Sequence, residues 1–191
     1  MARGKQREDA ILTATIELLG ELGYEALTMD AVAARAHASK ATMYRRWRSK
    51  AELASAALDA LDAHHNATIP DTGGLRSDLV AVMEGLRDKA TASYVAMIQG
   101  LVVAARRDRA LAASLRSHIA KHELSPFQEV LRRAASRKRL PAGAPTELVH
   151  DVAEAMILRQ LQTGAPFDGV FISRVVDDVL LPLLQNKRSR R

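Results

Sequence analysis

Cysteine is absent from the 191 residues. Disulfides, thiolate metal sites and cysteine nucleophiles are thereby excluded, and a reducing compartment is suited. Long hydrophobic runs are missing too. The longest apolar stretch, Tyr94 to Ala105, is broken by Gln99 and Gly100, and it falls short of the ~20 residues needed to span a bilayer. It reads as a buried helix. The start, Met1 to Glu8, lacks the apolar core of a signal peptide. A soluble, cytoplasmic protein without a membrane partner is expected. Alternating β-branched runs are also lacking, so a sheet is not indicated.

What is abundant is positive charge, and it is unevenly placed. The net charge is +6, with nine Lys/Arg against six Asp/Glu in residues 1–50 and four Lys/Arg in residues 187–191, which leaves residues 51–186 at −1. A basic head and tail around a near-neutral middle suit a polyanionic partner, although such charges more often serve solubility.

Apolar residues recur at spacings of three and four throughout, which predicts an all-α chain. A first helix is expected from Arg7 to Leu22, with Ala10, Ile11, Ala14, Leu18, Leu19 and Leu22 on its inner stripe and Gly23 at its end. Thr28 is placed to cap a short helix to about Ala36, Ser39 to cap a second ending near Trp47, and Ser49 with Glu52 to form a capping box for a longer one. The run from His64 to Gly74 holds turn residues and predicts a change of direction near residue 70. Further helices are expected from Leu75 to Leu86, Tyr94 to Arg107, Leu111 to Ile119 and Phe127 to Ala134. After the Pro141–Pro145 break, one helix runs from Thr146 to about Thr163 and a last one starts near Asp168. Pro182 is expected to kink or end it. The expected organisation is a DNA-binding domain over 1–50, a connecting helix and linker over 51–70, a second helical domain over 71–186, and a disordered basic tail over 187–191.

The segment from Thr28 to Trp47 has helix-turn-helix spacing: two short helices around the turn Ala36-His37-Ala38-Ser39. At about 100° per residue, Met43 and Trp47 share one side of the second helix, while Arg45 points opposite with Ala41 beside it. One side packs and the other is free to enter a groove. Lys40, Ala41 and Thr42 occupy the first turn, where base edges are approached. Tyr44 and Arg46 flank it where phosphates would lie, and Arg45 suits bidentate reading of guanine. Lys50 and the N–H groups behind Thr28 and Ser39 are placed for phosphate. Arg3, Lys5 and Arg7 suit a mobile arm.

This segment, from Thr28-Met29-Asp30-Ala31-Val32-Ala33 through Ser39-Lys40-Ala41-Thr42-Met43-Tyr44-Arg45-Arg46-Trp47 to Ser49-Lys50-Ala51-Glu52-Leu53, resembles the DNA-binding domain of the tetracycline-repressor (TetR) family. The resemblance implies that Thr28 and Lys50 bind phosphates, that Tyr44 packs against the DNA backbone, and that Lys40 to Thr42 with Arg45 read bases. His37 departs from it where glycine is common, Arg46 where histidine is, and Trp47 where phenylalanine is. It further implies a ligand-binding and dimerisation domain behind the helix-turn-helix, hence a ligand-responsive repressor of a palindromic operator. Its last two long helices would pair with their copies in a homodimer. Val152, Met156, Val175, Val179, Leu180 and Leu183 give these helices more apolar face than a lone domain needs, and are the expected interface. Met83, Tyr94, Met97, Leu101, Phe127 and Met156 are the candidates for lining an effector pocket, although such residues at helical spacing more often serve the core.

Two rival readings stay open on the residues alone. A basic helical protein binding nucleic acid without sequence preference would use the charged ends only. A helical enzyme would need a site: His118 and His122 are four apart, but no glutamate adjoins His118 and no third metal ligand is evident, while the adjacent Asp177 and Asp178 diverge on a helix. No catalytic residue, metal or cofactor is expected.

Overall fold

The computed structural model of the chain describes residues 2–65, 68–120 and 125–185. Among these residues every regular element is a helix: α1 (Ala2–Ala26), α2 (Met29–Arg35), α3 (Lys40–Arg46), α4 (Lys50–His65), α5 (Leu75–Lys89), α6 (Ala92–Ala105), α7 (Arg109–Ala120), α8 (Pro126–Ser136), α9 (Thr146–Thr163), α10 (Gly169–Val175), a π turn (Val176–Leu180) and α11 (Leu181–Gln185). The all-α expectation holds. The basic tail 187–191, the side chain of Arg3 and residue His122 lie outside what the structure describes.

Packing sorts these helices into two units that do not follow chain order. One holds α1–α4 with α6 and α7, the other α5 with α8–α11. In the first, Ile11, Leu18 and Leu19 of α1 meet Leu53 and Ala57 of α4, and Met97, Leu101 and Leu111 of α6 and α7 complete the same core. Helices α6 and α7 therefore join the unit of the helix-turn-helix, whereas the break near residue 70 predicts that they belong with the C-terminal helices. The second core gathers Leu79 and Met83 of α5, Phe127, Val130 and Leu131 of α8, Val149 and Ala153 of α9, and Ile172, Val175, Val176 and Leu180.

Several local expectations are corrected. Helix α1 starts at Ala2, so Lys5 and Arg7 stand exposed on a helix instead of on a mobile arm. Ala10 and Leu22 face solvent, because the stripe that α1 buries is narrower than its apolar composition. Gly23 does break the helical backbone (φ 74°), and one further turn carries Tyr24 inward. Pro182 does not end the last helix, which continues to Gln185. Ahead of it the Leu181 N–H bonds the Val176 carbonyl, five residues back. This wider π turn takes up the ladder that proline, lacking an N–H, interrupts.

A basic run at the end of α8 proves structural. Arg137 makes a two-pronged pair with Asp71 (2.7 and 2.8 Å), Arg139 donates to the Gly73 carbonyl at 2.6 Å, and Arg133 reaches the Pro70 carbonyl and, at 3.5 Å, Asp78. Asp78 is 4% exposed and also accepts from the Thr72 N–H at 2.6 Å and hydroxyl at 2.7 Å. The buried Asp78 carboxylate, which desolvation would otherwise penalise, is thus paired and hydrogen-bonded. Arg137 draws the Asp71 carboxyl down to about 2.

Candidate nucleic-acid interface

Helices α2 and α3 are each seven residues long, too short to persist without caps and packing. Both have caps. Thr28 Oγ1 accepts from the Ala31 N–H at 3.1 Å, and Ser39 Oγ from the Thr42 N–H at 3.2 Å. Between them, α2 closes in a Schellman motif: the Ala38 N–H bonds Ala33 O at 2.9 Å and the His37 N–H bonds Ala34 O at 3.3 Å. That motif needs a left-handed residue, and His37 supplies it at φ 49°. The turn keeps the geometry glycine would give, with a bulkier side chain.

Packing then orients α3. Met43 is 0% and Trp47 5% exposed, both in the first core, while Ala41, Tyr44, Arg45 and Arg46 face out and Thr42 is half-buried. The two-sided helix expected from periodicity is observed. Arg45 has no ion-pair partner among the described residues. Two neighbouring cations do have partners. Lys40 Nζ sits 2.6 Å from Asp30 Oδ2 of α2, which holds its ammonium pKa above the usual lysine value, and Arg46 pairs with Glu8 of α1. These carboxylates escape a reading of the sequence, because a pairing between helices leaves no local pattern.

Helix α4 begins in a capping box of altered reach: the Glu52 N–H donates to Ser49 Oγ at 3.2 Å, and the Glu52 carboxylate accepts from the Arg48 N–H at 2.8 Å. Lys50 is not fully free. Its Nζ donates to the carbonyls of Tyr24 (3.1 Å) and Glu25 (3.3 Å) and lies 4.4 Å from the Tyr24 ring centre. It caps the end of α1 while staying half-buried at the surface. Tyr24 in turn donates its hydroxyl to Asp108 Oδ2 at 2.8 Å; burial, then that contact, raises its pKa.

The rival features find structural employment. His118 is bracketed by Asp59 (Nδ1 to Oδ1, 2.5 Å) and Asp62 (Nε2 to Oδ2, 3.3 Å) of α4, and Asp177 makes a two-pronged pair with Arg76 at 2.7 Å. Among the described residues no cluster of His, Cys, Asp or Glu is arranged to hold a metal, and no helix is long and apolar enough to cross a membrane.

Comparison with known proteins bears on this geometry directly. Residues 11–57 match "Bacterial regulatory proteins, tetR family", and residues 69–179 match "Tetracyclin repressor-like, C-terminal domain". The chain belongs to the TetR family. It is 48% identical over 185 residues, 97% of each chain, to the DNA-binding transcriptional repressor TetR of Mycobacteroides abscessus. To an uncharacterized HTH-type transcriptional regulator of Mycobacterium tuberculosis it is 37% identical, over 93% of this chain and 88% of that one. Among solved structures, the TetR family transcription regulator SCO0332 superposes with a TM-score of 0.76 at 26% identity, covering 92% of this chain and 97% of that one. A TetR-family regulator from Rhodococcus sp. shares the fold at 17% identity, with a TM-score of 0.72 over 95% and 100% of the two chains.

The candidate DNA-facing residues of this TetR-family chain lie together on α2, α3 and the start of α4, but the other two sets divide. Of the pocket candidates, Tyr94, Met97 and Leu101 serve the first core and Met83, Phe127 and Met156 the second. Of the dimer candidates, Val175 and Leu180 are fully buried in their own unit. They have no surface to offer a partner. Val152, Met156, Val179 and Leu183 stay half-buried, and Leu148 and Leu158 of α9 are exposed.

Proposed function

We propose that this chain is a homodimeric, ligand-responsive transcriptional repressor that binds a palindromic operator. The observation carrying this is α3 itself: capped by Ser39, anchored through Met43 and Trp47, and presenting Ala41, Tyr44 and Arg45 outward. A helix so held projects its first turn into a major groove. In this reading Lys40, Ala41, Thr42 and Arg45 meet base edges, while Thr28, Ser39, Tyr44, Arg46 and Lys50 position the protein on phosphates. The 48% identity to a protein named as a DNA-binding repressor supports the sign of regulation. Dimerisation through α9 and the α10–α11 segment uses Val152, Met156, Val179 and Leu183, joined by Leu148 and Leu158. A small, largely apolar effector acts from within residues 75–165 by altering the separation of the two recognition helices, which standard DNA accepts only near about 34–36 Å.

The test is selection of bound duplexes from a randomised library by the purified protein. An inverted repeat should emerge, and its affinity should drop steeply between low and physiological salt. Enrichment of no motif, or of a motif without two-fold symmetry, would refute the proposal.

A further inference from the structure

Three arginines stand at the junction of α6 and α7, two in the turn and one at the first position of α7, outside the helix-turn-helix. Residues 106–109 read Arg-Arg-Asp-Arg; Arg106, Arg107 and Arg109 are exposed, and none has an ion-pair partner among the described residues. The single acid among them is committed elsewhere. Asp108 Oδ1 accepts from the N–H groups of Ala110 (2.9 Å) and Leu111 (3.0 Å), capping α7, while Oδ2 takes the Tyr24 hydroxyl. The arginines of α8 and of the turn after it make the contrast: Arg132 pairs with Glu129, and Arg137 and Arg139 hold the 71–73 loop. Those guanidiniums are used inside the fold. The three at the α6–α7 junction are left to solvent.

Their location is fixed by the same anchor. The Tyr24 hydroxyl holds Asp108, and the Tyr24 ring lies against the Lys50 ammonium, 4.4 Å away. One aromatic side chain therefore separates the arginine turn from the lysine expected on phosphate. All of these residues belong to one packed unit. Guanidinium groups pair with phosphate oxygens two-prongedly, and a cluster continuous with a phosphate-facing edge extends the polyanion track without reading sequence.

We infer that Arg106, Arg107 and Arg109 form an accessory phosphate clamp, engaging the DNA backbone that flanks the half-site under α3. This rests on the operator-binding function proposed above. The clamp adds affinity and footprint and leaves base preference untouched.

The test uses the full-length protein, the duplex enriched by selection, and the variant Arg106→Gln/Arg107→Gln/Arg109→Gln. Fluorescence anisotropy is read across a salt series on two duplexes, one trimmed to the repeat and one extended by about one helical turn on each side. On the extended duplex the variant should bind roughly 10-fold or more weakly than the unaltered protein at low salt, and its log K against log salt slope should flatten by about 0.9 for each phosphate no longer neutralised. On the trimmed duplex the two proteins should agree within about twofold. A control variant, Arg87→Gln/Arg132→Gln/Lys138→Gln, removes the same charge from the other unit and should behave as the unaltered protein on both. Equal losses in the triple variant and the control, or an unchanged slope on the extended duplex, overturn the clamp while leaving the repressor function standing. Absence of sequence-selective binding by the unaltered protein overturns both.

Discussion

Lys40 of the second helix and Asp30 of the first are joined across the helix-turn-helix, Nζ to Oδ2 at 2.6 Å, with both side chains more than half exposed. The pair places a negative charge on the face proposed to meet DNA. The carboxylate keeps the Lys40 ammonium engaged, repels an approaching phosphate, and can accept only from a donor such as a base amino group. Such a carboxylate favours discrimination over raw affinity.

Asp30→Asn is therefore expected to tighten binding to random-sequence DNA more than binding to the selected operator. Lys40 then becomes free to take a phosphate, so the salt slope on non-specific DNA should steepen by about one ion per subunit. Parallel titrations on the two DNAs measure this. An equal gain on both would assign Asp30 no part in selectivity.

Arg45→Ala and Lys50→Ala should differ in kind. The first is expected to relax preference at one base pair per half-site, worth about 1–3 kcal/mol at that position, with little change in stability. The second should weaken all sequences alike and also lower the melting temperature, since Lys50 Nζ caps the carbonyls of Tyr24 and Glu25. Melting curves and a randomised operator library separate the two.

His37 occupies a left-handed position that costs a side chain about 1 kcal/mol or more relative to glycine. His37→Gly should raise stability by a fraction of that amount, because glycine gives part of the gain back as unfolded-state entropy. Chemical denaturation is the measurement. A loss of stability would mean that the imidazole makes a compensating contact.

The contact between α4 and α7 should depend on pH. His118 is bonded to Asp62 and Asp59, and these carboxylates, Asp62 foremost, raise its pKa above 6.5 despite burial. From α6, the Tyr94 hydroxyl, pushed up to about 12 by burial and then by Asp62, faces one of the same acids. A raised histidine pKa contributes stability that is fully present below about 6.5 and is lost as pH rises through the folded value. The unaltered protein should therefore lose stability relative to His118→Gln on going from about pH 6 to about pH 9, by roughly 1–3 kcal/mol at most. Parallel curves for the two proteins would remove the histidine from the account.

Leu148→Glu with Val152→Glu should split the dimer. The two lie one turn apart on α9, exposed and half-buried in the isolated chain. Carboxylates there harm the monomer little but would be desolvated in an interface. Sedimentation of the variant as a stable dimer would move the interface elsewhere.

The local signals in this sequence are legible because they are short-range. Thr28 and Ser39 cap helices where their side chains predict, a helix begins beside Asp168 as expected, and the 3.6-residue period correctly separates Met43 and Trp47 from Arg45. What stays hidden depends on distant segments meeting. Asp30 and Glu8 as counter-charges, Tyr24 as the joint between Lys50 and Asp108, and the enlistment of α6 and α7 by the first core are products of packing. Periodicity reports that a face is apolar. Which neighbour covers it is settled elsewhere, as Leu22 and Val175 illustrate from opposite sides.

The π turn ahead of Pro182 has a consequence for the whole C-terminal segment. In an unbroken α-helix the buried pair Val175 and Val176 would continue to Val179 with Leu180 and to Leu183 with Leu184, four residues on at each step. The actual buried series runs Val175 and Val176, then Leu180, then Leu184, while Val179 and Leu183 drift to the margin. The π turn, closed by the Leu181 N–H on the Val176 carbonyl five residues back, holds one extra residue without any loop and turns the side chains beyond it relative to an unbroken α-helix. Closing that turn by deleting one residue would bring a different set of side chains to the outside. The residues available to a partner are thus set as much by a single wide turn as by which apolar side chains the segment contains.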